Sequence, residues 1–228
     1  HPGGPVRIET LPNPSAGLHR WFQGRPGSEQ IATLYACQAL WWWLSRRQPR
    51  SILEIGGGIG CLSAVLALWG VEYDAEVSTV EDNPWCREQW RKNLPDPRTV
   101  RLCASIPRGA WDFIVVDGEQ STPALWTRLL PRAVVFVEGN RRDQRAEITR
   151  ALSQMSSIMC EPEDGRPFCW APWRPGWTRS KGYWVVILEP TGRERLWFFG
   201  ARMLQLGLDL VAKLRGQEGI GKRRVPIA

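Results

Sequence analysis

The 228-residue chain has no apolar run approaching the ~18 residues that a membrane-spanning helix requires. It has no secretory leader pattern at its start and no internal repeat. Its six cysteines (37, 61, 86, 103, 160 and 169) form no C-x-x-C pair and no zinc spacing, and several sit inside apolar runs. Reduced thiols in a cytoplasmic protein are the expectation. The dinucleotide fingerprint G-x-G-x-x-G is also missing: with Gly56 and Gly58 as its first two glycines, the third position falls on Cys61. What remains is a chain with 43% hydrophobic and 23% charged residues, long enough for one domain with a sizeable core. Its net charge of +7 suits an anionic partner, or reflects an arginine-rich proteome.

The stretch richest in information is Ser51-Ile52-Leu53-Glu54-Ile55-Gly56-Gly57-Gly58-Ile59-Gly60-Cys61-Leu62. Ile52, Leu53 and Ile55 favour a short buried strand. Gly56, Gly58 and Gly60 allow a tight turn and close approach of a ligand to the backbone. The Ala- and Leu-rich run from Cys61 to Leu68 predicts a helix whose N-terminus meets that turn. An acid, Glu54, stands two residues before the first glycine. A carboxylate there is awkward for a diphosphate and well suited to the ammonium group of an aminoacyl ligand, held directly or through water. Two further strands end in acids: Val77–Glu81 and Trp111–Asp117. Glu81 lies 21 residues past Gly60, near the separation at which an acid meets ribose hydroxyls in doubly wound folds.

These motifs, in this order, resemble the class I S-adenosylmethionine-dependent methyltransferases, whose first motif reads E/D-x-G-x-G-x-G; the resemblance covers residues 28–140. The run Pro26-Gly27-Ser28-Glu29, followed by a helix and the glycine motif, is similar to O-methyltransferase-like members. The resemblance implies a doubly wound, Rossmann-like α/β fold. Its mostly parallel seven-stranded sheet has helices on both faces and an antiparallel last strand. It implies S-adenosylmethionine as cofactor, held by Glu54, Gly56, Gly58, Gly60, Glu81, Asp82 and Asp117, with Ala104 and Ser105 near adenine. Asp117, Glu138 and Asn140, at the ends of strands four and five, are the catalytic candidates. Relatives that bind a divalent metal carry an Asp-Asn pair after strand five. Here Gly139 interrupts the pair, and no metal is expected. The N/D-P-P-Y/W/F run of amine-methylating enzymes and the Pro-Cys nucleophile of cytosine-C5 enzymes are absent, which lowers DNA base methylation and leaves RNA open.

Around this domain (28–192), residues 1–27 read as an extended arm with little regular structure, in which His19, Trp21, Phe22 and Arg25 could close over the cofactor, line the substrate cleft or merely pack on the surface. Residues 193–228 read as an amphipathic helix, 196–214, and a basic tail. Helices are expected from Ser28 to near Arg47, with Gly70 breaking the one after the glycine motif, and over 85–93, 122–130 and 146–155. Strands are also expected at 99–104 (the third), 133–138 (the fifth, after 111–117 as the fourth) and 183–188, with 160–182 an excursion between the last two strands. That excursion interleaves tryptophan with arginine, so Trp173 and Arg179, with Arg141, are the substrate candidates. The expectation is O-methylation of a small molecule or glycan bearing an anionic group. RNA methylation, aminopropyl transfer of the polyamine synthase type and a non-catalytic binding module remain open. The C-terminal helix could contact a membrane surface, form a homodimer seam or pack on its own domain.

Overall fold

A computed structural model describes residues 13–94, 96–118, 123–139, 141–153, 155–162, 169–171, 183–196, 199–200 and 203. In chain order the elements are α1 (Ser15–Gln23), α2 (Leu34–Arg47), β1 (Ser51–Ile55), α3 (Cys61–Tyr73), β2 (Glu76–Val80), α4 (Pro84–Asn93) and β3 (Arg101–Cys103). There follow β4 (Trp111–Val116), β5 (Leu129–Glu138), α5 (Arg142–Ala151), β6 (Ser157–Pro162), β7 (Cys169–Ala171) and β8 (Tyr183–Leu188).

The strands form one sheet in the order β3-β2-β1-β4-β5-β8-β6-β7. Strands β1 to β5 run parallel, and β8 pairs antiparallel with both β5 and β6. Seven strands thus take the expected doubly wound arrangement, and the three-residue β7 adds an edge beside β6. The strand order reverses between β1 and β4, and the crevice at their C-terminal ends is where such sheets take ligands.

Central strands are apolar on both faces because helices cover both. Ile52, Phe113, Val115, Val134 and Phe136 point toward α2 and α3. Leu53, Ile55, Ile114, Val116 and Val135 point the other way, toward Trp126, Ile148 and Leu152. The tryptophans of α2 divide: Trp41 and Trp43 are buried and Trp42 is half-buried. Trp41 meets Trp69 edge-on at 5.6 Å, and Trp69 stacks on Tyr73 at 3.7 Å. Trp69 also donates to the Pro49 carbonyl at 3.3 Å.

Several boundaries differ from expectation. The arm contains a helix, α1, whose Phe22 is fully buried, while residues 1–12 lie outside the described residues. Ser28 starts only a short 3-10 turn, and α2 begins at Leu34, where the Thr33 hydroxyl accepts from the Ala36 amide at 3.1 Å. Gly70 does not break α3. It lies inside the helix because a Cβ there would come within 3.0 Å of the Ala75 carbonyl and 3.1 Å of Val77. Helix α5 starts four residues early, at Arg142, and β5 starts at Leu129, so only Pro123–Arg128 is left as a 3-10 turn. The cap of α4 is as expected: Asn83 accepts from Trp85 and Cys86, with Pro84 first in the helix.

Trp69 of α3 is fully buried, against Trp41 of α2 and the turn into β1. Truncating it, Trp69→Ala, is expected to cost about 3–5 kcal/mol. The change should appear as a lower urea midpoint with an unchanged slope.

Candidate active site

The crevice between β1 and β4 opens into a cavity of about 640 Å³. Its floor is the glycine turn. Gly56, Gly58 and Gly60 have φ of 82°, 53° and 103°, the left-handed region that glycine adopts most easily. Gly56 has no alternative: a Cβ there would lie 1.5 Å from the Asp117 carbonyl oxygen. The Gly56 and Gly57 amides donate to the Val80 carbonyl at 2.9 and 3.1 Å, and the Asp117 amide donates to the Ile55 carbonyl at 2.7 Å. No side chain caps the N-terminus of α3, so its first amides face the cavity unclaimed by a cap.

Glu81 stands on the far wall. Its Oε2 accepts from the Gly58 amide at 2.7 Å and its Oε1 from the Asn83 amide at 2.8 Å. Both oxygens keep lone pairs for a diol. Asp82, Asn83, Trp85 and Cys86 continue this wall, and Gly27 to Ala32 form the facing one. The two walls touch where Gly27 meets the ring of Trp85: a Cβ on Gly27 would approach it to 2.8 Å. Trp85 is 47% exposed, so the rest of its indole faces the mouth.

Asp117, Gly118 and Arg141 form the third wall, and Glu138, a catalytic candidate from the sequence, stands behind it beside Arg141 rather than in the lining. The Arg141 guanidinium lies 3.7 Å from Asp117 Oδ1 and 3.9 Å from Glu138 Oε2, and its Nη1 donates to the Glu138 carbonyl at 3.0 Å. Burial, then the charges of Glu138 and Glu54, raises Asp117 well above the ordinary carboxylate range, against the pull of Arg141. Burial also raises Glu138, opposed by Arg141 and by a hydrogen bond with Asp117. The two carboxyls titrate as one coupled pair, with burial raising both. Gln144 of α5 is buried and donates to the Gly118 carbonyl, which fixes the turn after Asp117.

Of the sequence candidates, Gly56, Gly58, Glu81, Asp82, Asp117 and Arg141 line the one cavity. Gly60 shapes the turn from behind, where a Cβ would meet Leu94 at 2.7 Å. Glu54 is placed differently from a direct ammonium ligand. It is fully buried on the α3 side of the sheet, where Ser63 and Thr79 donate to its Oε2, Thr79 at 2.6 Å, while Oε1 has no partner. Trp90 Nε1 donates to Ser63 at 2.8 Å and completes the cluster. The strand's two-residue period explains the shift: Glu54 shares a face with Ile52, beneath the loop. Ala104 and Ser105 are exposed beyond β3, away from the cavity lining. Asn140, Trp173 and Arg179 lie outside the described residues. The sequence did not single out Trp85, Cys86 or residues 29–32 as cavity residues, nor Gln144 as the support of the turn after Asp117. Of these only the Pro26–Glu29 run carried a signal. Among the described residues no cluster of His, Cys, Asp and Glu could hold a metal ion.

No protein-family model matches the chain, and no curated protein does. Solved structures do. An O-methyltransferase from Bacillus cereus in complex with SAH superposes with a TM-score of 0.54 at 15% identity, over 78% of this chain and 92% of its own. The SAH-bound Podospora anserina methyltransferase PaMTH1 gives 0.51 at 14% identity, over 83% and 100%. The tRNA (m1A58) methyltransferase TrmI from Aquifex aeolicus gives 0.53 at 18% identity, over 76% of each chain. The fold is that of the class I S-adenosylmethionine-dependent methyltransferases.

Burial pushes Glu54 from 4.5 up to about 7. The folded state then keeps a proton that the unfolded chain releases, so this contribution to stability is full below pH 4.5 and is lost as pH climbs to 7. Glu54→Gln removes the titrating group. Relative to the variant, the native protein should lose about 3 kcal/mol across that window. Denaturant midpoints measured at several pH values for both proteins check this; parallel curves would refute it.

Proposed function

We propose that the chain is an S-adenosylmethionine-dependent methyltransferase acting on a hydroxyl of a small molecule or glycan. The observation that carries this reading is one cavity lined by the positive-φ glycine turn, Glu81 and Asp117, with Glu138 beside Asp117 across the Arg141 guanidinium. The residues fit such a cofactor. Gly58 has open space where a Cβ would stand, the α3 amides carry no cap, and Glu81 offers two oxygens to ribose hydroxyls. Four acids (Glu29, Glu81, Asp82 and Asp117) line the cavity against the single cation Arg141 among its described residues, which favours a cationic ligand group inside.

When bound, S-adenosylmethionine supplies an activated methyl group. The chain's own part is to orient the acceptor and take its proton. Glu138 accepts the hydroxyl proton at a carboxylate oxygen. Asp117 hydrogen-bonds to Glu138 and holds it in place. Arg141 offsets charge on the pair and offers a site for an anionic group on the acceptor. Asn140, Trp173 and Arg179 remain assigned to the acceptor side on sequence grounds. The acid-rich lining also favours a second reading, aminopropyl transfer to a cationic amine. The nucleoside product separates the two: S-adenosylhomocysteine for methyl transfer, methylthioadenosine for aminopropyl transfer.

Titration calorimetry with S-adenosylmethionine, S-adenosylhomocysteine and NAD tests the cofactor. The two sulfur ligands should bind and NAD should not. Glu81→Ala should weaken binding by roughly 10-fold or more, the value of hydrogen bonds to a charged group. Binding of NAD alone would overturn the reading.

Once a screen of phenols, sugars and RNA finds an acceptor, the pH–rate profile tests the base. Glu138 is raised above its ordinary value, so activity should climb with pH through that raised value. Glu138→Gln should remove this limb and cut kcat by about 100-fold or more. An unchanged profile would remove Glu138 from the chemistry.

A further inference from the structure

The last described stretch carries an apolar face that plays no part in the cavity. Residues 192–196, 199–200 and 203 are helical. The first turn is fixed to the body of the protein. Thr191 and Glu194 form a reciprocal capping box: the Glu194 amide donates to Thr191 Oγ1 at 3.2 Å, and the Thr191 amide and hydroxyl donate to Glu194 Oε2 at 2.7 and 2.9 Å. The other oxygen of Glu194 pairs with Arg47 of α2 at 2.7 Å, both side chains being largely buried. Arg195 donates to the Pro190 carbonyl at 3.2 Å and to the Ser156 hydroxyl.

From this anchored start the helix presents Leu196, Phe199 and Met203 to solvent, 72%, 60% and 53% exposed. Their spacing of three and four residues puts all three on one face. Single exposed apolar residues are common, but an ordered row on a capped helix marks a contact surface. Packing of this stripe on its own domain, one expectation from the sequence, is not what these three residues do.

Charge identifies the occupant. Residues 193–228 include eight basic residues (Arg193, Arg195, Arg202, Lys213, Arg215, Lys222, Arg223 and Arg224) against three acids (Glu194, Asp209 and Glu218). One of those acids, Glu194, is already paired with Arg47. Arg193 is exposed one turn before Leu196, on the apolar face's own side. A second copy of the chain would bring two such basic segments together and bear their repulsion. An anionic lipid surface would attract them, and apolar and aromatic side chains beside basic ones suit its headgroup boundary. In sequence, Trp197 and Phe198 add to that composition. We propose that the helix starting at residue 192 docks the protein on an anionic membrane surface, with Leu196, Phe199 and Met203 entering the headgroup–acyl boundary. Among the described residues no helix is long and apolar enough to cross a membrane, so the contact is a peripheral one. It is independent of what the cavity binds.

Flotation of the full chain tests this, with phosphatidylcholine vesicles and with vesicles containing about 30% phosphatidylglycerol. The native protein should float with the anionic vesicles and stay behind with the neutral ones. The charge-conserving variant Leu196→Ser/Phe199→Ser/Met203→Ser should lose about 10-fold or more of its partitioning. Its urea midpoint should not change, because the three side chains are exposed, and Phe199→Ser alone should give a partial loss. The proposal falls if the native protein floats with neither vesicle, or if the triple variant floats as well as the native protein. It also falls if sedimentation shows a native dimer that the same substitutions dissociate, which would assign the face to a second copy.

Discussion

The contact between the backbone of Gly56 and the carbonyl of Asp117 is the constraint on which the site rests. Strands β1 and β4 are parallel neighbours, and beyond their C-terminal ends the chain leaves in different directions. At that parting the two turns come so close that a Cβ on Gly56 would lie 1.5 Å from the Asp117 oxygen. The ladder continues one step past β4, from the Asp117 amide to the Ile55 carbonyl. The glycine turn, Glu81 across from it and the carboxyl pair above β4 are therefore positioned by main-chain contacts. Side-chain packing has little freedom to move one relative to another, which is what a reaction sensitive to alignment requires.

Electrostatically the cavity differs in character from the chain as a whole. The chain carries a net charge of +7, while the cavity and the region around it gather Glu54, Glu81, Asp117 and Glu138. These acids are too many for Arg141 to balance. The structure meets the cost of burying them chiefly by protonation: Glu54 and Asp117 both rise, Glu54 to about 7. A cationic ligand would supply what the chain lacks. Overall charge, read from composition, thus said nothing of the cavity's preference.

The fold was legible because its signals are local and repeated. Apolar strands, a glycine turn and helix caps such as Asn83-Pro84 each specify their own few residues. Glu81, Asp117 and the three glycines were readable for the same reason: an acid at a strand end or a glycine in a turn has a short-range cause. Glu54 was placed less well. Its number fixes its strand, but its face depends on the pleat, which put it with Ser63, Thr79 and Trp90 beneath the loop. Ala104 and Ser105 depended on the path of the chain after β3. Gln144 and Trp85 carried no signal at all, since a glutamine in a polar helix and a tryptophan after a proline have no single structural meaning. Gly70 misled because glycine commonly ends helices. Here it admits a neighbouring carbonyl, a requirement set by residues in the following strand.

The touching walls at Gly27 and Trp85 have a consequence for sequence variation. The two positions are 58 residues apart, yet one ring fills the space that a methyl group at the other would need. Gly27 also sits at φ 86°, so an added side chain would be both crowded and strained. In related chains the two positions should not drift independently: a residue with a side chain at 27 calls for a smaller one at 85. Where both change together, the mouth of the cavity is rebuilt with a different aperture while the glycine turn below it stays the same.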